Sequence, residues 1–158
     1  MRMKKLQGLL NQGESIFVEF KQSKGKLNKD VFESVCAFLN RNGGHLFLGV
    51  NDDGSIVGIN EKAVEKVKKD FVTSMNNPQK ISPTFYLSVE EFVVEGKSIL
   101  YIFIPESSQV HRCNGKIFDR NEDGDLDITD NTNLVAAMYY EKTGNIFGEP
   151  YFPICRVI

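Results

Sequence analysis

Two charged residues of the N-terminal region are spaced for joint chemistry. Glu19 and Lys21 lie two apart in an alternating segment that predicts a strand over Ser15 to Gln22, so their side chains share one face. Metal-dependent nucleases use such a pair: the carboxylate joins other acids in holding a divalent ion, and the lysine orients water or stabilises developing charge. Glu14 and Asp52 are the extra acids available, which completes a candidate catalytic set for Mg²⁺ or Mn²⁺. The alternative for Glu19 and Lys21 is a surface salt bridge. In a continuous strand the side chain of Glu14 would point to the face opposite Glu19, so Glu14 joins the set only if the strand begins after it.

An acidic run later in the chain matches a different kind of metal site. The segment DRNEDGDLDITD, from Asp119 to Asp130, fits a calcium-loop template that has glycine at its sixth position. The oxygen ligands would be Asp119, Asn121, Asp123, Asp125 and Asp130. The preceding segment, Lys116 to Phe118, predicts a strand where a calcium loop is usually entered from a helix. The alternative is therefore an acidic hairpin loop, capped into the last helix by Asp130 or Asn131.

Basic residues gather in the N-terminal third, although the formal net charge of the chain is -2. Lysine and arginine clusters bind the phosphates of nucleic acids, and such binding weakens steeply with salt. The candidate phosphate contacts are Lys21, Lys24, Lys26, Lys29, Arg41 and Arg120. The alternative for this lysine-rich stretch is an ordinary solvated face.

A twin-glycine turn separates a predicted helix from a predicted strand. Asn42, Gly43 and Gly44 tolerate the left-handed backbone that ends a helix, and successive amides at such a turn can also receive an anion. No lysine followed by serine or threonine succeeds a second glycine, so the phosphate-loop pattern is absent. We interpret His45, which opens the strand, as a structural residue. The turn is predicted to deliver a buried strand that carries Asp52 towards Glu19.

Apolar periodicity predicts the elements that position these residues. The predicted helices are 1–12, 29–41, 64–75 and 131–142. The predicted strands are 15–22, 45–50 with a return strand 56–59, the hairpin 84–94 and 98–104, and 116–118. This mixture predicts an α+β fold, a single domain over residues 1–158 with a mixed β-sheet and hairpins flanked by about three to four helices. Its core is expected over residues 14–143, with 144–158 as an apolar tail that packs on the body or on a partner.

Composition excludes several classes of protein. With 158 residues and 41% hydrophobic content, the chain buries one substantial core. Three cysteines without paired spacing argue against a disulfide framework and favour a reducing, cytoplasmic setting. No apolar run approaches the roughly 18 residues of a membrane span, so no membrane role is expected.

The motifs resemble a known family. VEFK, then CAFLNRNGGHLFLGVNDDGSIVGI, then EGKSILYIFIPES and KIFDR are similar to the Schlafen AlbA-like family, from about Glu14 to Asp130. The resemblance implies a mixed α+β domain that binds nucleic acid in bacterial transcriptional-regulator-like proteins. Arg120 matches an arginine common near the end of the family's pattern. Asn51, where many members have an acid, and the acidic insert after Arg120 depart from it.

The resemblance also implies alternatives for function. Some animal Schlafen relatives are ribonucleases that use two glutamates and an aspartate, which would fall on Glu14, Glu19 and Asp52, with Asp53 as a register alternative. We therefore expect a nucleic-acid-binding module, for DNA more than RNA, that requires no cofactor. The rival is a Mg²⁺- or Mn²⁺-dependent endoribonuclease, and a third interpretation is a calcium-stabilised interaction module. A homodimer is left open.

Overall fold

A four-stranded mixed sheet forms the centre of the molecule. The computed structural model describes residues 1–147, with side chains up to residue 143. The helices are α1 Met3–Gln12, α2 Lys29–Asn40, α3 Val64–Met75 and α4 Thr132–Phe147, with a 3₁₀ turn Glu61–Ala63 before α3. The strands are β1 Val18–Lys21, β2 Gly44–Leu48, β3 Ile81–Ser82, β4 Glu90–Val94, β5 Lys97–Ile104, β6 Arg112–Cys113, β7 Phe118–Asn121 and β8 Gly124–Asp127. The sheet order is β1-β2-β5-β4, in which β1 and β2 are parallel and the other pairs antiparallel.

Helices cover both faces of this sheet. Leu6 and Leu10 of α1 pack on one face, with Phe20 and Phe47. Residues of α2 and α3 pack on the other face, against the inward side chains of β2 and β5. This double coverage explains the continuous apolar run of β2, and it confirms the predicted α+β class and mixed sheet.

Some predicted strands are shorter or absent. Ile56 and Ile59 make only isolated bridges, to Val50 and Ser98, so the predicted return strand 56–59 is wrong. Gly49 and Gly58 have positive φ angles, and the Gly49 carbonyl accepts the amide of Gly58, which gives an irregular loop instead of a ladder. The predicted strand 84–94 begins only at Glu90, and the strand expected over 116–118 begins at Phe118.

The C-terminal part of the described chain is a small hairpin followed by a helix. β7 and β8 pair antiparallel through a tight turn, and α2 packs on β7. The side chain of Asn131 accepts the amide of Leu134, so Asn131 is the N-cap of α4, one of the two residues predicted. α4 is longer than the predicted 131–142. The expected packing of the 144–158 tail falls outside the described side chains, and none of the described helices is both long and apolar enough to cross a membrane.

Candidate functional site

Glu19 and Lys21 project from the same face of β1, as their spacing predicted. The ammonium of Lys21 lies 3.6 Å from a carboxylate oxygen of Glu19 and 3.1 Å from one of Asp30. Both side chains are largely buried, with 14% and 16% exposed. Burial lowers the pKa of Lys21, but attraction by Glu19 and Asp30 outweighs it, so this pKa is raised. Lys21 is held as a cation between two acids and is not free for phosphate.

Glu14 joins this cluster because β1 begins after it. A tight turn pairs Ser15 with Val18, and it brings the carboxylate of Glu14 back to accept the amide of Phe20 at 2.9 Å. The carboxyl groups of Glu14 and Glu19 line the same cavity. Burial, and then this neighbouring acid, raise the pKa of Glu19 despite the attraction of Lys21 and Arg120. Two of the three predicted glutamate and aspartate positions are therefore adjacent.

Arg120 is a buried structural residue, which corrects its prediction as a phosphate contact. Its side chain is only 2% exposed, and it forms ion pairs with Glu19 at 3.0 Å and Asp125 at 2.7 Å. Its remaining donors reach the carbonyls of Ser15, Ile16 and Val18. The guanidinium also lies over the ring of Phe38, 4.3 Å from its centroid. With its donors occupied, this group has no means of binding a phosphate.

Asp52 is not part of the acidic cluster, contrary to the prediction. A cavity of about 260 Å³ is lined by Glu14, Glu19 and Asp125, together with Lys21 and Arg120. Asp52 lies instead in the exposed turn between Val50 and Ile56. Among the described residues, no group of three or more acids, histidines and cysteines is arranged to hold a metal ion. Three further acids line the cavity, Glu122, Asp123 and Asp125; the first two are exposed, and Asp125 is already paired with Arg120.

The predicted calcium ligands do not converge either. They lie along β7 and β8, where side chains alternate between two faces. Asp119 is bound in a fork by Arg41 at 2.9 and 2.6 Å. Asn121 accepts the amide of Asp123 within the turn, and Asp130 lies exposed before α4. The hairpin alternative describes this segment better than the calcium loop, because its carboxylates neutralise cations of the protein.

Three of the six predicted phosphate contacts remain free. Lys24, Lys26 and Lys29 are exposed, and none of them makes an ion pair with any residue of the described chain. Arg41, like Lys21 and Arg120, is held by acids. Its hydrogen bonds to Asp119 raise the pKa of the guanidinium, against a smaller effect of burial.

A second cavity, of about 450 Å³, lies where the start of α2 faces the end of α3. Lys26 and Lys29 line it from the α2 side, and Thr73, Ser74 and Lys80 line it from the α3 side. The ammonium of Lys80 lies 5.0 Å from the ring centroid of Phe32. The sequence does not indicate Lys80, because it follows Pro78 in a polar stretch without periodicity. Only the packing of α3 against α2 brings it beside the loop lysines.

The twin glycines serve close packing. The amide of Gly43 donates to the Phe38 carbonyl at 2.8 Å, so this amide is not available to an anion. A Cβ on Gly43 would collide with the carbonyl oxygen of Ile104 and lie 2.8 Å from the amide nitrogen of Glu106. His45 hydrogen bonds the Tyr101 hydroxyl at 2.7 Å, and burial, with the nearby Lys5, lowers the pKa of this histidine. Both observations agree with the structural interpretation of this turn.

One buried polar group escaped sequence reasoning. His111 is fully buried, and its ring nitrogens lie 2.7 Å from the Pro83 carbonyl and 2.6 Å from the Ser107 hydroxyl. Its amide donates to Asn40, whose side chain in turn donates to the carbonyls of His111 and Phe118. Burial lowers the pKa of this histidine. A lone histidine between loop residues carries no local signal of such a network.

Comparison with known proteins places this geometry in a family. The family model described as "Schlafen, AlbA_2" matches residues 14–129, which is most of the chain. The chain belongs to the Schlafen AlbA_2 family. The matched residues of this AlbA_2 domain include Glu14, Glu19 and Lys21, the segment with Lys24, Lys26 and Lys29 (the lysine loop) and the β7–β8 hairpin, whereas α1 and α4 lie outside them.

Relatives of this AlbA_2 domain occur within longer proteins. It is 33% identical over 95 residues to an uncharacterized ATP-binding protein of Ureaplasma parvum, covering 58% of this chain and 26% of that relative. It is also similar to the N-terminal domain of a Nitrosomonas europaea protein named as related to the ATP-dependent DNA helicase RecG, with a TM-score of 0.51 and 28% identity over 67% of this chain and 74% of that one. The DIP2311 protein of Corynebacterium diphtheriae, at 17% identity and a TM-score of 0.57, shares the fold over 79% of this chain and 29% of its own. The chain spans about a quarter of the curated relative.

Proposed function

We propose that this AlbA_2 domain is a nucleic-acid-binding module. The observation that carries the proposal is the exposed group Lys24, Lys26 and Lys29, between β1 and the first turn of α2, which forms no ion pair within residues 1–143. Cations that no acid of the described chain neutralises are available to replace the counterions of a phosphate backbone. The relation to a RecG-related protein supports nucleic acid as the partner, and its name favours DNA over RNA.

The net charge of -2 does not oppose this function, because acids and lysines occupy different parts of the molecule. In the β7–β8 hairpin, Asp119 and Asp125 are paired with Arg41 and Arg120, whereas the only charged residues of the loop 23–28 are lysines. Local charge decides binding to a phosphate backbone, since exposed charges are screened beyond about 10 Å at ordinary ionic strength. A transcriptional regulator with further domains, located in the cytoplasm, is the setting we propose for the module.

Binding is tested by fluorescence anisotropy with labelled DNA and RNA of one sequence. The variant carries Lys24→Gln, Lys26→Gln and Lys29→Gln together. We expect this variant to bind roughly 10-fold or more weakly at 50 mM salt, and the slope of log K against log salt to fall in magnitude by about 2 to 3.

A matched control removes the same charge elsewhere, with Lys62→Gln, Lys69→Gln and Lys116→Gln, three exposed lysines outside the loop. This control is expected to keep most of the affinity. Absence of binding to either nucleic acid at low salt, or equal losses in both triple variants, contradicts the proposal.

A divalent-metal nuclease is the second candidate, favoured by the position of Glu14 and Glu19 beside Lys21 in one cavity. Lys21 and Arg120 now hold Glu19 and Asp125, so a bound ion would need one of these acids to be released or would use Glu14 with the exposed Glu122 and Asp123. Incubation of labelled RNA and DNA with Mg²⁺ or Mn²⁺ separates the candidates. Cleavage that Glu19→Gln abolishes supports the nuclease, and cleavage that survives this change, or no cleavage, rejects it.

A further inference from the structure

We infer that the cavity between α2 and α3 is a phosphate-binding subsite for a nucleic-acid strand, in which Lys80 acts together with the loop lysines. The inference rests on the proposed function and assigns one of its phosphate contacts to this cavity. The groups that would meet the phosphate are Lys26, Lys29, Lys80, Thr73 and Ser74. No sequence pattern joins them, since α3 separates the two lysine groups along the chain.

The charge balance of the cavity favours an anion. Lys26, Lys29 and Lys80 form no ion pair with any residue described by the structure. The one acid in its lining, Asp70, is bound by Lys66 at 2.7 Å. Three uncompensated ammonium groups around one cavity repel each other, and a ligand with negative charge relieves this repulsion.

The types of donor favour phosphate over carboxylate. Planar carboxylates are best matched by the fork of arginine, whereas lysine binds phosphate as a compact point charge. The cavity contains lysines but no arginine, and the hydroxyls of Thr73 and Ser74 add donors that suit a tetrahedral group with several oxygens. The volume of about 450 Å³ admits a phosphate together with its sugar.

Lys80 is positioned from outside the loop. Its backbone carbonyl accepts the amide of Asn114 at 3.0 Å, and its ammonium is held over the Phe32 ring. A strand that follows the lysine loop would therefore meet a cation on the opposite wall of the cavity. This arrangement makes Lys80 the residue whose substitution separates the cavity from simple attraction by the loop.

The experiment measures binding of the full chain to a 3′-labelled single-stranded oligonucleotide at several salt concentrations. We expect Lys80→Gln to weaken binding about 3-fold or more and to reduce the slope of log K against log salt by about 0.7, the loss of one phosphate contact. Lys80→Arg, which keeps the charge, is expected to restore most of the affinity. Lys116→Gln, an exposed lysine on another part of the surface, is the matched control.

Two versions of the oligonucleotide identify the source of the phosphate. If a 5′-phosphate strengthens binding to the wild type but not to Lys80→Gln, the subsite binds the end of a strand. If the oligonucleotides with and without a 5′-phosphate bind alike and lose affinity equally in Lys80→Gln, the subsite binds an internal phosphate. Equal affinities of Lys80→Gln and Lys116→Gln overturn the inference, as does competition by polyglutamate that matches competition by unlabelled oligonucleotide. If the wild type does not bind the oligonucleotide at any salt concentration, the proposed function itself is refuted.

Discussion

The guanidinium of Arg120 donates to three backbone carbonyls and the Asp125 carboxylate, and it forms an ion pair with Glu19, from a position that is 2% exposed. Its role is to hold the turn before β1 and the β7–β8 hairpin in one arrangement. The sequence-based prediction made Arg120 a phosphate contact because the residues around it do not indicate that its side chain is buried. Arg41 is also paired with an acid of the protein, because its guanidinium binds the Asp119 carboxylate, but 35% of its side chain is exposed.

The first prediction concerns Arg120→Met. The variant leaves the largely buried carboxylate of Asp125 without its cation and that of Glu19 with Lys21 alone, and removing one partner of such a pair costs about 3 to 5 kcal/mol. Urea unfolding of Arg120→Met and of Arg112→Met, an exposed arginine of β6, measures the difference. Similar midpoints for the two variants would show that the buried pairs contribute little.

The second prediction concerns the protonation of Glu19. Its pKa is raised by burial and by the Glu14 carboxyl group, so the folded protein keeps this proton to a higher pH than the unfolded chain does. Above pH 4.5, the ordinary value for glutamate, the unfolded chain releases the proton first, and the free energy of unfolding contributed by Glu19 falls as pH rises through the folded pKa. An NMR titration of the side-chain carboxyl carbon measures this midpoint.

Glu14→Gln supplies the control for that titration. The glutamine keeps an oxygen that accepts the Phe20 amide but removes the neighbouring charge, so we expect the midpoint of Glu19 to move down. A wild-type midpoint at or below the ordinary value would mean that Arg120 and Lys21 dominate the site.

At the scale of elements, the junction between α2 and β2 depends on two glycines. Gly43 has a φ of 74°, and Gly44 packs so that a Cβ would strike the Phe38 ring and lie 2.7 Å from the Phe17 carbonyl oxygen. The parallel pairing of β1 with β2 brings these backbones together. Side chains at either position would force the strand away from its neighbours.

The third prediction compares two glycine substitutions of opposite expected effect. Gly43→Ala places a methyl group against backbone atoms that cannot move independently, and we expect a loss of about 2 kcal/mol or more. Gly8→Ala, inside α1 with open space around it, should stabilise the protein by up to about 1 kcal/mol. Thermal unfolding of both variants tests the pair. A Gly43→Ala protein as stable as the wild type would mean that the turn relaxes freely.

The same scale explains which elements the periodicity predicted. α3 was predicted with its observed bounds, 64–75, because its buried residues Val64, Val67, Phe71 and Met75 keep helical spacing. The return strand 56–59 failed because Gly58 within it and Gly49 on the facing segment have positive φ angles, and apolar residues that pack singly resemble a strand in sequence. Local pattern predicts an element well when one face of that element is buried along its whole length.

At the scale of the molecule, the described side chains of α4, residues 132–143, contribute few apolar contacts. Its inner side joins a small cluster around Met138, while Lys142 donates to the carbonyls of Leu39 and Ser107 and to the Glu106 carboxylate. The side chain of Lys142 is only 5% exposed. One buried lysine therefore links the last described helix to the end of α2 and to the segment after β5.

The fourth prediction concerns Lys142→Met. The methionine fills the space but leaves the Ser107 carbonyl without its donor, at a cost of about 1 to 3 kcal/mol. Hydrogen exchange should become faster in the amides of α4 and change less in the central sheet. Lys116→Met, an exposed lysine, is the matched control. Uniformly faster exchange across the sheet and α4 would mean that α4 does not open separately.

The lysines proposed to bind nucleic acid and the clustered glutamates lie on different parts of the surface. The lysine loop and Lys80 open onto one cavity, whereas the glutamates occupy another cavity with Arg120 and Lys21. Charge counts alone merge these two regions, since both contain lysines and acids. Their separation is what makes the triple-lysine variant and Glu19→Gln independent tests of binding and cleavage.

By itself the sequence determined the fold class, the main helices, the placement of Glu19 beside Lys21 and membership of the family, because these depend on spacing along the chain. Tertiary structure alone decided which charges are free. Arg41 meets Asp119 across 78 positions, and Arg120 meets the Ile16 carbonyl across 104. It also excluded Asp52 from the acidic cluster and brought Lys80 to the loop lysines. The physical reason is that a charged side chain is committed by its nearest partner in space, and chain spacing carries no information on partners that lie so far away in sequence.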